Sequence, residues 1–523
     1  MSQTQRYLIL PARGLTATAQ GASKAARDFF IELATGGKPM RAQLSSTLAA
    51  SVRACAAKRP KVRLKSPAGF ELIESLHEDG IKLVTTTAEM VAALRFEQPG
   101  VRLVPERTYK PAVYRPALIA PSPKAAAAGI GLVRRLQISV VDGGTGQGLG
   151  GVAIVAFTDF AAREGVSATT GATGSATLTV TGKKTYERLY VQHELPGLWS
   201  YLGYDVAARG SLTIRLQPVD LGTGDSLRHF HAAANLSDGT GVKVGVIDSG
   251  VALHHADLRV SGGLGCVPGE PETDYGPSGG PHGTHVAGII AGRGSSPTGM
   301  RGLAPDAQLY SYRVFGSGPS SGGSFAIAKA IDRALQDGCD LLNLSLSFDR
   351  KDFSGPAPVD ETVREAIAEA HAKGVVVIAA AGNDGRKTVS YPAADDLALA
   401  VSAVGHKGTF PSGSSETGDV MGPSGADPRD FVAAFSNVGT ELDVAGAGVG
   451  VVSTVPGGYA PMSGTSMAAP AVTGATARLL AQRPAVLNAA RDRNRADAIR
   501  GMVFAMATSL GLGLTFEGKG LLR

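Results

Sequence analysis

From about residue 225 onward, short apolar runs alternate with segments of helical periodicity, and this alternation limits the folds open to the chain. The apolar runs cover 242–247, 308–314, 340–346 and 375–380 and are largely unbroken. A strand with one wet face alternates polar and apolar residues, whereas a strand covered on both faces reads as a continuous apolar run. Helical segments at 285–292, 324–336 and 361–372 lie between the runs. Strands alternating with helices predict an α/β fold with a doubly wound, mostly parallel sheet. Sites in such sheets form at the carboxyl ends of the strands, where Asp248, Ser345 and Asn383 fall.

Ahead of that region the pattern changes twice. Residues 5–107 read as strand, helix, strand, strand, helix, strand, with the first helix at 23–33 and a capping box, Thr86-Thr87-Ala88-Glu89, opening the second. That order suits a split βαβ unit, so residues 1–110 are expected to form a small α+β, ferredoxin-like module. A Pro/Ala-rich stretch at 111–129 has little to bury and is expected to be an extended linker. Residues 130–219 carry β-rich runs at 133–141, 152–157, 176–180, 189–192 and 212–216, some separated by glycine-rich turns. They predict a β-sandwich serving as a spacer or scaffold. The fourth unit is then 225–523.

Three short motifs in that last unit carry chemistry. Asp248 closes an apolar strand, His282 opens His-Gly-Thr-His-Val-Ala-Gly, and Ser466 lies in Gly-Thr-Ser-Met-Ala-Ala-Pro. A serine hydroxyl is a poor nucleophile unless a base takes its proton, and the base needs an anion to orient it. The chain order acid, base, nucleophile is one of those known for such triads. Gly464 allows a tight turn, and a helix starting near Ser466 aims backbone N–H groups at developing negative charge. Pro470 breaks a local rule, because its missing N–H leaves an early helix carbonyl unpaired. Paired histidines at 282 and 285 can share a helix face, yet that segment offers no carboxylate to complete a metal site.

Together these motifs resemble the subtilisin-like serine proteases over roughly residues 225–523. The resemblance implies a serine endopeptidase acting on polypeptides through an acyl-enzyme at Ser466, with His282 as base and Asp248 orienting it. It also implies that the Asn383 side-chain amide joins the Ser466 N–H in an oxyanion hole, and that Ser345, Leu346 and Ser347 pair with the substrate backbone. Ser249 is expected to donate its hydroxyl to the Asp248 carboxylate. Ser347 stands where the family usually has glycine, which narrows the primary pocket. Gly322 and Gly323 stand where a bulky residue often walls a distal pocket. Asp257 matches a family calcium ligand, but residues 293–297 lack the matching Asn-rich loop, so no cofactor and no metal is expected. Residues 80–109 resemble the end of the family's inhibitory prodomain. That implies a folding or inhibitory role and docking of residues 1–110 on the catalytic unit. Residues 409–429, rich in Gly, Ser and Pro, are expected to be a mobile insertion.

Charge and composition limit partners and compartment. Residues 1–120 carry a balance of +9 and the remainder one of −3, which suits a basic module on a mildly acidic one. No segment combines clustered Lys and Arg with interleaved aromatics, so nucleic acid is not an expected partner. No apolar run approaches the ~20 residues of a membrane helix. The first residues lack a secretory h-region of about 7–15 apolar residues, and Cys55, Cys266 and Cys339 cannot make a disulfide framework. A cytoplasmic location is therefore expected, with export by a route needing no signal left open. Two rival functions remain: a transpeptidase passing the acyl group to an amine, and a binding protein whose cleft stays blocked by its own N-terminal module.

Overall fold

The apolar runs lie at the centre of the largest sheet. The computed structural model describes residues 4–11, 69–77, 80–97, 101–114, 131–193, 196–318, 322–348 and 358–522. The expected helix at 23–33, most of the 111–129 linker and Cys55 lie outside them.

Strands are numbered along the chain. The first sheet contains β1 (Gln5–Pro11), β2 (Glu71–Ser75), β3 (Lys82–Thr86) and β4 (Val101–Pro105), in the order β2-β3-β1-β4 with every pair antiparallel. The helix Ala88–Glu97 joins β3 to β4. This is the arrangement a split βαβ unit makes. A separate strand, β5 (Thr108–Pro111), leaves this sheet and pairs elsewhere.

Two facing sheets follow. One has β7 (Ala153–Asp159), β8 (Glu164–Thr169), β10 (Thr185–Gln192) and β11 (Tyr201–Ala207), in the order β11-β10-β7-β8. The other has β6 (Val133–Asp142), β9 (Ser175–Thr181) and β12 (Gly210–Leu216), in the order β12-β6-β9. Alternate residues such as Leu136, Ile138 and Val140 of β6 meet Ile154, Leu189 and Val191 in one shared core.

The largest sheet is built on β13 (Lys243–Asp248). Strands β14 (Val260–Gly265) and β15 (Gln308–Arg313) wind to one side of it. Strands β17 (Leu341–Leu344), β19 (Val376–Ala380), β20 (Ala398–His406) and β23 (Val444–Ala447) wind to the other, all parallel. The winding reverses at β13, so a crevice opens beside its carboxyl end. Strand β19 shows why the runs are unbroken. Val376, Ile378 and Ala380 enter the core under the helices His282–Ala291 and Thr465–Ala481. Val377 and Ala379 enter the core under the helices Ser324–Gln336 and Glu361–Ala372. Each residue is buried on one face or the other.

The helix Ser324–Gln336 has two apolar stripes. Ile327, Ile331 and Ala334 face the large sheet, while Phe325 and Ala328 face Leu8, Leu10, Ile81 and Leu83 of the N-terminal sheet. Between these partners Lys329 reaches Glu74 at 2.5 Å, and beside them Arg102 of β4 forks onto Glu361 at 2.6 Å and Glu365 of the helix Glu361–Ala372.

Residues 409–429 are not the loose insertion expected from composition. They contain the 3-10 turn Ser415–Asp419, in which Ser415, Glu416 and Asp419 are buried. The backbone of Gly413–Ser415 pairs with the sandwich through Leu202 N to Gly413 O and Ser415 N to Ser200 O. Trp199 and Phe410 close over Gly450 nearby. The Gly and Ser of residues 413–418 therefore serve a tight interface, whereas residues 421–429 carry exposed Gly422, Ser424 and Pro428.

Candidate active site

Asp248 ends β13 and His282 is the first residue of the helix His282–Ala291. Ser466 is the second residue of the helix Thr465–Ala481, and the two helices pack on each other. His282 Nδ1 lies 2.8 Å from Asp248 Oδ1, and both residues are almost fully buried. The carboxylate requires the proton on Nδ1, so Nε2 presents a lone pair. That Nε2 is buried and has no hydrogen-bond partner. The Ser249 hydroxyl does not support Asp248 as expected. It donates to Gly280 O and accepts Gly283 N–H, and it is the Ser249 backbone N–H that reaches Asp248 Oδ1, at 2.6 Å.

His285 is not a base. Its Nε2 lies 3.0 Å from both Val451 O and Ala460 O. Burial, with His282 alongside, pushes its pKa down to about 3, so it stays neutral and structural.

Ser345 ties the nucleophile down. Pro470 cannot donate to the Ser466 carbonyl one turn back, and the Ser345 hydroxyl fills that role at 2.9 Å. The same hydroxyl accepts Asn343 Nδ2 at 2.8 Å, and Asn343 Oδ1 accepts the Thr473 hydroxyl. Ser466 Oγ itself donates to Ser345 O at 2.9 Å, so a turn about its Cα–Cβ bond is needed before His282 takes the proton.

Strand β5 runs through the cleft between two edges. It pairs antiparallel with β16 (Gly322–Gly323) on one side and with β18 (Leu346–Phe348) on the other, in the register Ser347↔Lys110 and Leu346↔Pro111. Ala112 N–H donates to Ser345 O at 3.0 Å, and Tyr114 N–H donates to Ser463 O at 2.8 Å. Between these anchors Ala112 O accepts from Ser466 N–H at 3.1 Å and from the Asn383 amide. Thr465 fixes which way that amide points. Its N–H and hydroxyl both meet Asn383 Oδ1 at 2.9 Å, which turns the NH₂ toward Ala112 O. Gly464 has φ of +154°, and a Cβ there would lie 2.6 Å from Ala112 O, so glycine lets the chain approach this closely. The sequence reading assigns residues 111–114 to the linker and so misses them as cleft occupants. The signal available was an extended Thr-Tyr-Lys-Pro just before a linker.

Beyond Ala112 the cleft opens into a cavity of about 810 Å³. Val113, Tyr114, Gln192, Ser200, Glu416 and Asp419 are among its walls. Tyr114 stacks on Phe435 with ring centroids 4.6 Å apart. Burial pushes both carboxyls upward, Asp419 well above the ordinary range with Glu416 as its repelling neighbour.

A cation at Asp257 does not fit the donor set. The Asp257 carboxylate accepts Met300 N–H and the Tyr459 hydroxyl. The loop oxygens nearby are held by a guanidinium, Arg301, which bonds Gly294 O, Ser295 Oγ and Ala234 O. Elsewhere His229, His406 and Asp430 bring ligand-type atoms within 4.8 Å of one another. The two rings stack at 3.6 Å and His406 Nδ1 is bonded to Asp430 Oδ1 at 2.6 Å, so this group is closed on itself. Cys266 and Cys339 are buried, and burial pushes each thiol up to about 12. Among the described residues no helix is long and apolar enough to cross a membrane.

The model of the subtilase family matches residues 239–514. Subtilisin DY of Bacillus licheniformis is 39% identical over 289 residues, covering 54% of this chain and 89% of that protein. Subtilisin Savinase of Lederbergia lenta is 38% identical over 284 residues, covering 54% of this chain and 89% of that protein. An alkaline protease of Alkalihalobacillus alcalophilus is 38% identical over 284 residues, covering 54% of this chain and 63% of that protein. The relatives are secreted extracellular subtilisins, which points to an export route and overturns the expected cytoplasmic location. The physical reason is that an address is read in transit and leaves no mark on the packed fold.

Proposed function

This chain belongs to the subtilase family and is a serine endopeptidase, and on that premise we propose that Ser466, His282, Asp248 and Asn383 carry the reaction and that its first substrate is the chain's own Ala112–Val113 bond. The observation that carries this reading is Ala112 O, held between the Ser466 N–H and the Asn383 amide. Those two donors sit where a carbonyl oxygen gains negative charge as it becomes tetrahedral. Ser466 Oγ bonds to the Ala112 carbonyl carbon while its proton passes to His282 Nε2. Asp248 holds the ring in the needed tautomer and stabilises its charged form. Collapse breaks the bond to the Val113 nitrogen, which leaves with the proton from His282. Water, deprotonated by the same ring, then releases the Ala112 carboxylate and restores Ser466. Ser345, Leu346 and Ser347 hold the substrate as an added strand.

The N-terminal module acts here as an inhibitor and folding aid. It places β5 in the cleft and packs its sheet on the helix Ser324–Gln336. A cut after Ala112 leaves the β-sandwich on the catalytic side, bound to residues 413–415, so the sandwich belongs to the mature enzyme.

The test is the terminus of the purified protein. Cleavage should give a new start at Val113-Tyr114-Arg115, and Ser466→Ala should give an intact chain with unchanged circular dichroism. A Ser466→Ala chain cut at the same bond, or a wild-type chain never cut there, would refute the reading.

A further inference from the structure

Tyr109, the fourth residue before the attacked bond counting Ala112 as the first, is wholly buried although it belongs to a segment that is expected to leave. Its ring lies against Phe348 with centroids 4.7 Å apart, and Phe348 in turn stacks on Tyr391 at 5.6 Å. The register sets Gly322 directly across from Tyr109, and a glycine there brings no side chain against the phenol. At the bottom the Tyr109 hydroxyl donates to Asp360 Oδ2 at 2.9 Å.

Asp360 is built to receive it. The residue caps the helix Glu361–Ala372, with Oδ1 accepting the Thr362 and Val363 N–H groups at 3.0 and 3.2 Å. Oδ2 accepts the Ser324 hydroxyl at 2.5 Å and has the Tyr109 hydroxyl as its other partner. The carboxylate is therefore fixed in direction and 3% exposed with the phenol in place. Every residue of this pocket except Tyr109 lies in the catalytic unit and stays when residues 1–112 depart.

We propose that the cleft selects polypeptides carrying tyrosine at the fourth position before the cut, and that Asp360 reads the phenolic hydroxyl. The inference rests on the peptidase reading and adds the substrate class to it. A pocket that only buries a ring accepts phenylalanine as well as tyrosine, because one hydroxyl against an apolar wall discriminates weakly. A pocket with a buried acceptor aimed at the hydroxyl rejects phenylalanine, which leaves that acceptor short of a partner.

The experiment uses the full chain after it has processed itself, with internally quenched peptides of sequence Xaa-Lys-Pro-Ala-Val-Tyr-Arg. Xaa is tyrosine, phenylalanine or alanine, and kcat/KM is measured for each. Tyrosine should exceed phenylalanine by about 10- to 100-fold, the loss expected for a hydrogen bond to a charged group. Asp360→Asn keeps a helix cap but removes the charged acceptor, and it should lower the ratio of tyrosine to phenylalanine at least several-fold; an unchanged ratio would overturn the role of Asp360. Should that variant not fold, the wild-type ratio decides alone, together with slower self-cleavage of Tyr109→Phe. Equal rates for tyrosine and phenylalanine, with cleavage still abolished by Ser466→Ala, overturn the subsite and leave the peptidase standing. No Ser466-dependent cleavage of any peptide overturns both.

Discussion

Truncating Phe325 should loosen the N-terminal module without touching the chemistry. Phe325 is fully buried, and the residues clustered over it include Leu8, Leu10, Ile81 and Leu83 of the departing piece. Its own helix turns other residues, Ile327 and Ile331, onto the large sheet. Phe325→Ala therefore removes contact mainly across the junction. Burying a phenylalanine is worth about 1.5–3 kcal/mol, and a core Phe→Ala change costs about 3–5 kcal/mol once the void is counted. Two pieces that can close toward each other recover part of the void, which sets the loss at about 3 kcal/mol. At about 1.4 kcal/mol per tenfold, dissociation should become on the order of 100-fold easier. The assay dilutes self-cleaved protein and follows peptidase activity as the cleft clears. The midpoint should move to a concentration about 100-fold higher, with kcat per active site unchanged. An unmoved midpoint would mean that this helix face does not hold the module, and a changed kcat would mean that the residue serves the site itself.

Two further outcomes follow from groups away from the triad. Burial raises the Asp419 carboxyl above its ordinary 3.8, so its folded form holds a proton that the unfolded chain releases. Stability is then fully present below the ordinary value and is lost as pH rises through the raised one. Asp419→Asn lacks that loss. It should raise Tm at neutral pH, with the gap to wild type closing toward pH ~4, and a gap that widens on acidification would refute the sign. At the loop of residues 294–301, a calcium chelator should leave Tm unchanged, whereas Arg301→Met, which takes the guanidinium from three oxygens, should lower it. Thermal melts with and without chelator separate the two.

The large sheet was legible because its strands are buried on both faces, and continuous apolar runs report that directly. The residues now drawn together at the site were legible as motifs, each small-residue turn marking a strand end or helix start. What composition hid was context. Strands β8 and β11 were missed because Glu164–Thr169 and Tyr201–Ala207 are only partly apolar, and their pairing is decided by neighbours. Residues 413–418 read as loose because Gly and Ser also suit a segment pressed against another module. The helix carrying His282 begins three residues earlier than its periodicity suggested, since glycine and histidine are weak helix signals. The orienting role expected of the Ser249 hydroxyl fell to a backbone N–H, a choice made by local geometry that residue types do not encode.

Pro470 makes the strongest case that local rule-breaking in this chain serves the site. A proline six residues into a helix frees the Ser466 carbonyl, which is buried and needs a donor. The donor is Ser345, whose own carbonyl holds both Ala112 N–H and the resting Ser466 hydroxyl. One residue thus couples the nucleophile's backbone, its resting rotamer and the substrate strand. An alanine at position 470 would restore an ordinary helix bond to Ser466 O and compete with Ser345 for it. The proline excludes that competitor, leaving the Ser345 hydroxyl fixed between Asn343 and Ser466. The strand edge that binds substrate and the helix that attacks it are then held in one register before any substrate arrives.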